Sequence, residues 1–129
     1  MAFDAVHSLV NNWGMGIEDK IPEHWFQEIH KPNLKVLEVG FGKANLLKRL
    51  QNGPELYGIE ASQTNYRYAL DQQKIKANLS ICDISTERFQ YPDGHFDVVI
   101  MLEVLEHIMS PLHAILEIQR VLKKNGILK

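Results

Sequence analysis

Residues 34–51 read LKVLEVGFGKANLLKRLQ. The run Leu34 to Val39 has the length and the Leu/Val content of a buried strand, whereas Ala44 to Gln51 repeats its apolar residues at helical spacing. Gly40 and Gly42 separate the two patterns, so a tight turn there leads from a strand into a helix. Such a turn lets a ligand approach the backbone, and the N–H groups at the helix start favour an anionic group. A strand-to-helix turn that binds nothing is the alternative interpretation.

The same strand-then-helix pattern recurs along the chain. Short apolar runs predict three further strands, and helical spacing predicts two further helices. The predicted strands cover 56–60, 79–84 and 96–102, and the helices cover 63–73 and 111–124. Alternation of this kind predicts an α/β fold: a Rossmann-like, doubly wound, mostly parallel sheet with helices on both faces. A fifth strand is expected to begin at Ile127, after a glycine stop at Gly126, so we expect the fold to be truncated near strand five.

The chain divides into two segments. Residues 1–33 form a predicted N-terminal helical segment, with one helix around Phe3 to Val10 and a second from Pro22 to Ile29. Residues 34–129 form the predicted core. The 129 residues correspond to one domain, and an apolar content of 45% is enough to build a packed interior.

Charge and cysteine content narrow the class of partner. A formal net charge of −2 gives no electrostatic reason to expect nucleic acid or an anionic membrane. No apolar run approaches the roughly 18 residues that span a bilayer. The lone cysteine, Cys82, lies in an apolar run and is expected to be a buried small residue. A protein without an intrachain disulfide fits a reducing compartment, so we expect a cytoplasmic location.

Acidic residues lie at the ends of three successive predicted strands. They are Glu38, Glu60 and Asp83. Because ligands bind outside the carboxyl ends of strands in this sheet type, all three would line one crevice. Glu60 follows Gly40 by 20 residues, where a carboxylate can accept both hydroxyls of a ribose. Asp83 could accept from the exocyclic amine of adenine. The pattern indicates an adenosine-type cofactor, although single carboxylates at strand ends are commonly only solvated.

The order and spacing of these motifs resemble the class I S-adenosylmethionine-dependent methyltransferase family, close to the small-molecule domain of the ubiquinone-biosynthesis type. The resemblance covers roughly residues 34–129. It is carried by a glycine motif, a ribose-binding acid, an adenine-side acid, the fourth strand with its following stretch, and the helix before strand five. The corresponding residues are 36–42, 58–62, 82–84, 96–108 and 116–126.

The resemblance implies a function and a set of contacts. The expected activity is transfer of a methyl group from S-adenosylmethionine to a small-molecule acceptor by direct displacement, with the protein aligning the acceptor and excluding water. The methionine part of the cofactor is expected to lie beside Glu38, Gly40 and Gly42, and the ribose beside Glu60 and Ala61. The adenine is expected beside Asp83 and Ile84. Leu102, at the end of the fourth strand, is expected near the cofactor.

The sequence departs from the family pattern in three respects. Ala44 stands where a third glycine is usual, and Lys124-Asn125-Gly126 replaces Lys-Pro-Gly-Gly. The family fold has seven strands, whereas four strands and a stub are predicted here. The competing hypothesis is therefore a non-catalytic module that binds a cofactor or a partner. An unpaired sheet edge would favour association with another chain.

The sequence also bears on two other kinds of site. A nicotinamide cofactor would require glycine at the position of Asn45. A helix would place Glu103, Glu106 and His107 on one face, where they could bind a divalent cation, and His107 is also a candidate base. No metal site is predicted, and no catalytic residue is assigned.

Overall fold

The computed structural model describes residues 21–102 and 111–129, in which helices and strands alternate. The predicted helix around Phe3 to Val10 lies outside these residues. The elements are α1 (Glu23–Ile29), β1 (Lys35–Val39), α2 (Asn45–Leu50), β2 (Glu55–Glu60), α3 (Gln63–Asp71), β3 (Asn78–Ile81), β4 (Phe96–Met101), α4 (Pro111–Val121) and β5 (Leu122–Leu128).

The five strands form one sheet in the order β3-β2-β1-β4-β5, and every described pairing is parallel. This confirms the predicted Rossmann-like sheet. The strand order reverses between β1 and β4, because β2 follows β1 on one side and β4 returns on the other. In open parallel sheets the crevice at such a reversal, beyond the carboxyl ends of the strands, is where ligands bind.

Successive residues of the central strands point to opposite faces and are buried on both. On one face Leu37, Val39 and Val99 pack with apolar residues of α4, such as Ile118. On the other face, Val36, Val98 and Ile100 pack with α1 and α2 through Ile29, Leu46, Leu47 and Leu50. Burial on both faces explains why the strands read as nearly continuous apolar runs rather than as alternating ones.

The third strand is shorter than predicted. It ends at Ile81 rather than at Ile84. The Cys82 amide still donates to the Glu60 carbonyl at 3.0 Å, but the chain then turns at Asp83, whose carbonyl accepts from the Glu87 amide at 2.9 Å. A local turn therefore replaces the last part of the predicted strand and places Asp83 and Ile84 in a loop.

The end of the last helix and the start of the fifth strand were also predicted wrongly. The helix ends at Val121, and β5 begins at Leu122, five residues before the predicted Ile127. Leu122 already pairs with Phe96, and the next pair is Ile127 with Val98, so 123–126 bulge from the ladder. The lysines and the glycine that resembled the end of a helix belong to this bulge. The fifth strand thus joins the sheet beside β4, pairing at Leu122, Ile127 and Leu128.

Cys82 is buried, as predicted, with 5% of its surface exposed. Burial, followed by the nearby negative charge of Glu87, raises the pKa of its thiol to about 11, so the thiol stays protonated at neutral pH. Among the helices of 21–102 and 111–129, none is both long enough and apolar enough to cross a membrane.

Asp97 links three strands at the amino edge of the sheet, which is the end at which the parallel strands begin. One carboxylate oxygen accepts from the Lys35 amide at 2.8 Å, and the other accepts from the Lys123 ammonium at 2.9 Å. Burial acts to raise the pKa of Asp97, but the bonds from Lys35 and Lys123 outweigh it, so the pKa is lowered.

We predict that Asp97→Asn lowers the free energy of unfolding at neutral pH, and that the difference from wild type shrinks in acid. Because the folded pKa lies below the unfolded value of about 3.9, the stabilisation is present above that pH and is lost as pH falls through the folded pKa. Urea unfolding from about pH 7 to about pH 3 measures the difference. Asp71→Asn, at an exposed position of α3, is the control. A wild-type advantage that does not change with pH would contradict the assignment.

Candidate functional site

The predicted site residues lie near one another at the carboxyl edge of the sheet, which is the end at which the parallel strands finish. Glu38, Glu60 and Asp83 lie at or just beyond the ends of β1, β2 and β3, which are consecutive neighbours in the sheet. Neighbouring strands are about 4.8 Å apart, so the three residues occupy a short stretch of one edge. Leu102 follows β4 across the reversal of strand order and is buried, at 7% exposure. The topology therefore places all of these predicted residues at one end of the sheet.

The glycine turn after β1 depends on left-handed backbone conformations. Gly40 has φ 72° and Gly42 has φ 56°, values that side chains disfavour. The Gly40 amide donates to the Ile59 carbonyl of β2 at 2.8 Å, and Phe41 between the glycines is fully buried in the core. Phe41 thus anchors the turn while the glycines supply its curvature.

Ala44, at the position of the usual third glycine, also has a left-handed backbone, with φ 68°. A non-glycine residue in this region costs roughly 1–2 kcal/mol. The conformation is held by the Ala44 amide, which donates to the Phe41 carbonyl at 2.8 Å. Gln73 also donates to the Lys43 carbonyl at 3.3 Å and to the Asn45 side chain at 2.7 Å. The turn therefore keeps its shape although the third glycine is missing.

The carboxylate of Glu60 joins two loops. One oxygen accepts from the Gly42 amide at 2.9 Å, and the other accepts from the Ser62 amide at 2.8 Å. Ser62 in turn caps α3, because its hydroxyl accepts from the Asn65 amide at 3.1 Å. Each carboxylate oxygen has two acceptor positions, so both retain capacity for a further donor such as a ribose hydroxyl. Ala61, between Glu60 and Ser62, is exposed beside this carboxylate.

Glu38 and Asp83 have opposite environments. Glu38 is fully buried in β1, between Gly58 of β2 and Ile100 of β4. A side chain at Gly58 would come within 2.7 Å of Phe41, so glycine there allows the ring to pack under the turn. Asp83 is exposed. Asp83 is therefore open to a ligand. Glu38 is buried next to the glycine turn, and its expected contact with the methionine part of the cofactor stays a prediction.

The loop after β3 is shaped by its own polar groups. One oxygen of Asp83 accepts from the Ser85 amide at 3.0 Å, and the Asp83 amide donates to the Glu87 carboxylate at 2.8 Å. Ile84 is buried, at 4% exposure, and joins the core. The neighbouring Asp83 side chain is thereby held at the surface while Ile84 anchors the loop.

The residues that hold these loops in place were not predicted from the sequence. Ser62 could have been found, since a serine directly before a helical pattern is a typical N-cap. Gln73 carries no local signal, because its partners Lys43 and Asn45 lie 30 and 28 residues away, whereas Glu87 contacts Asp83 only four residues away. Within the described ranges, no three His, Cys, Asp or Glu side chains cluster as a metal site. The candidate Glu103, Glu106 and His107 lie outside those ranges.

Comparison with known proteins places this geometry in a family. A family model for a methyltransferase domain matches residues 37–129. A ubiquinone biosynthesis O-methyltransferase of Pelagibacter ubique is 30% identical over 115 residues, which is 86% of this chain and 48% of the relative. A ubiquinone/menaquinone biosynthesis C-methyltransferase of Cupriavidus necator is 30% identical over 101 residues, 74% of this chain and 42% of the relative. The chain thus spans about half the length of the curated relatives that it matches.

The fold is also similar to solved structures. The YcgJ protein of Bacillus subtilis superposes with a TM-score of 0.71 at 18% identity, covering 82% of this chain and 48% of the other. At that identity the likeness concerns the fold, and it agrees with the five-stranded sheet described above.

We predict that Glu60→Gln lowers the free energy of unfolding by about 1–3 kcal/mol, because one oxygen becomes an NH₂ group that faces a backbone N–H. Thermal or urea unfolding measures the loss. Glu55→Gln is the matched control, since Glu55 begins the same strand at an exposed position and should change stability by less than about 0.5 kcal/mol. Equal stability of the two variants would show that the Glu60 carboxylate does not hold the two loops.

Proposed function

This chain belongs to the methyltransferase domain family, and we propose that the protein transfers a methyl group from S-adenosylmethionine to a small-molecule acceptor. S-adenosylmethionine is the cofactor expected from that family. The proposal concerns the whole protein, because the chain spans about half of the curated relatives.

One observation carries the proposal: the carboxylate of Glu60 is fixed by the Gly42 and Ser62 amides at 2.9 and 2.8 Å and keeps acceptor positions on both oxygens. A ribose diol presents two adjacent hydroxyl donors, which fit a carboxylate held in one orientation. The residue Glu60 as a whole is only 8% exposed, so little water surrounds it. The residues present therefore fit the nucleoside part of this cofactor.

The neighbouring residues fit its other parts. Gly40 and Gly42 leave the turn without side chains where the methionine part would lie. Asp83 is exposed, and its side-chain oxygens can accept from an adenine amine. Leu102 is expected to contact the cofactor from the end of β4.

The chemistry supplied by the bound cofactor is a methyl group already activated on a sulfonium. The protein's own residues would then bind and orient: Glu60 the ribose, Asp83 the adenine, and the glycine turn the methionine part. Holding two reactants in line accounts for much of the rate of such displacements.

The nature of the acceptor is supported by several observations. Relatives named as an O-methyltransferase and a C-methyltransferase of quinone biosynthesis favour a small molecule. A net charge of −2 favours it over nucleic acid. The sequence has a single cysteine, Cys82, and it is buried, which is compatible with a reducing compartment, so we propose a cytoplasmic location. Membership of an enzyme family favours catalysis over the non-catalytic binding module.

We predict that S-adenosylmethionine, and not NAD, raises the thermal stability of the protein. A ligand at about 100 times its Kd adds about 2.7 kcal/mol. Glu60→Gln should lose most of this ligand-induced shift, and Glu55→Gln should keep it. A wild-type protein that melts cooperatively with no shift, or that shifts equally with NAD, would overturn the proposed cofactor.

A further inference from the structure

Two side chains of α4 hold a residue of the loop between β3 and β4. The Phe89 amide donates to the Glu117 carboxylate at 2.8 Å, and the Phe89 carbonyl accepts from the Arg120 guanidinium at 2.8 Å. Both backbone groups of Phe89 are thus bound, while its ring is fully buried in the core. The helix and the loop are 28 to 31 residues apart in sequence.

The guanidinium of Arg120 also contacts two residues further along the loop. It donates to the Tyr91 carbonyl at 2.8 Å and to the Asp93 carboxylate at 3.0 Å. It also pairs with both oxygens of Glu117, at 2.9 and 3.1 Å. The Arg120 and Glu117 side chains are only 15% and 13% exposed, so solvent screens this pair less than a surface pair. The planar fork of arginine suits several acceptors at once, which an ammonium cannot reproduce.

A second contact of α4 lies closer to the site. The His113 ring nitrogen Nε2 is 2.7 Å from the Glu87 carbonyl, to which it donates when protonated there. The Glu87 side chain accepts from the Asp83 amide at 2.8 Å. Hydrogen bonds therefore connect α4 through Glu87 to the residue that we place beside the adenine.

We propose that Arg120, Glu117 and His113 are positioning residues for the adenine end of the cofactor. None of them would touch the cofactor; they act by holding the loop that presents Asp83. This inference rests on the proposed function, and it adds the part of the chain that controls recognition of the base.

The physical reason lies in the loop itself. Between Ile81 and Phe96 the chain has no helix or strand, and Asp83 is exposed at its start. Ordering such backbone on binding has an entropic cost for every residue that is fixed, so a loop held beforehand binds more tightly. Recognition of the base needs the carboxylate at hydrogen-bond distance from the amine, and a loosened loop would lose that distance first.

The test compares two ligands that differ only in the base. S-adenosylhomocysteine carries the adenine amine, whereas S-inosylhomocysteine carries an oxygen there, which would face the Asp83 carboxylate. Calorimetric Kd values for both are measured on the whole protein. The wild type should prefer the adenine ligand by about tenfold or more, the value of one lost hydrogen bond.

Two variants loosen the loop in different ways, and one serves as control. Arg120→Lys keeps the positive charge but removes the planar guanidinium and its several N–H donors. His113→Ala removes the contact to Glu87, and residue 113 is partly exposed. Both should weaken binding of S-adenosylhomocysteine and reduce the preference for adenine severalfold, with a smaller change for the inosine ligand. Lys123→Ala, which breaks an ion pair with Asp97 at the opposite edge, should leave the preference unchanged.

The outcomes distinguish failure of the proposed function from failure of the positioning role. A wild type that binds neither ligand overturns the proposed function and, with it, this inference. A wild type that prefers adenine, with folded variants that keep the full preference, overturns the positioning role alone, even if the variants melt at lower temperature. If Arg120→Lys does not fold, His113→Ala decides by the same ratio.

Discussion

The site depends on the carboxylate of Glu60, which holds the loop after β1 to the turn after β2 through the Gly42 and Ser62 amides. A carboxylate between two N–H donors is a strong, charge-assisted arrangement, and water competes weakly because Glu60 is a buried residue, with 8% of its surface exposed. It fixes the left-handed turn that begins α2 and the cap that begins α3. The same group is therefore both a structural link and the proposed acceptor for a ribose.

The two edges of the sheet have different tasks. At the amino edge, Asp97 joins the Lys35 amide to the Lys123 ammonium and so fixes β1, β4 and the bulge of β5. At the carboxyl edge, the loops carry carboxylates, those of Glu60 and Asp83, that can accept further hydrogen bonds from a ligand. In a parallel sheet the strands all point the same way, so one edge can be devoted to stability and the other to ligands.

The sequence allowed prediction of the features that depend on neighbouring residues: the order of strands and helices, the glycine turn and the acids at the strand ends. It failed at the bounds of two strands, for different reasons. The third strand stops at Ile81 because a local turn begins at Asp83, whereas β5 starts at Leu122 because that residue pairs with Phe96 across the sheet. The loop-holding roles of Gln73 and Arg120 had no local signal, because their partners lie about 30 residues away. The cofactor contacts and the division at residue 33 stay predictions.

A crystal structure of the whole protein with bound S-adenosylhomocysteine would test the proposed site directly. We expect both ribose hydroxyls on the Glu60 carboxylate, with the Gly42 and Ser62 amide bonds kept, and the adenine amine at hydrogen-bond distance from Asp83. A ligand bound away from the carboxyl edge, or a ribose that makes no contact with Glu60, would contradict it.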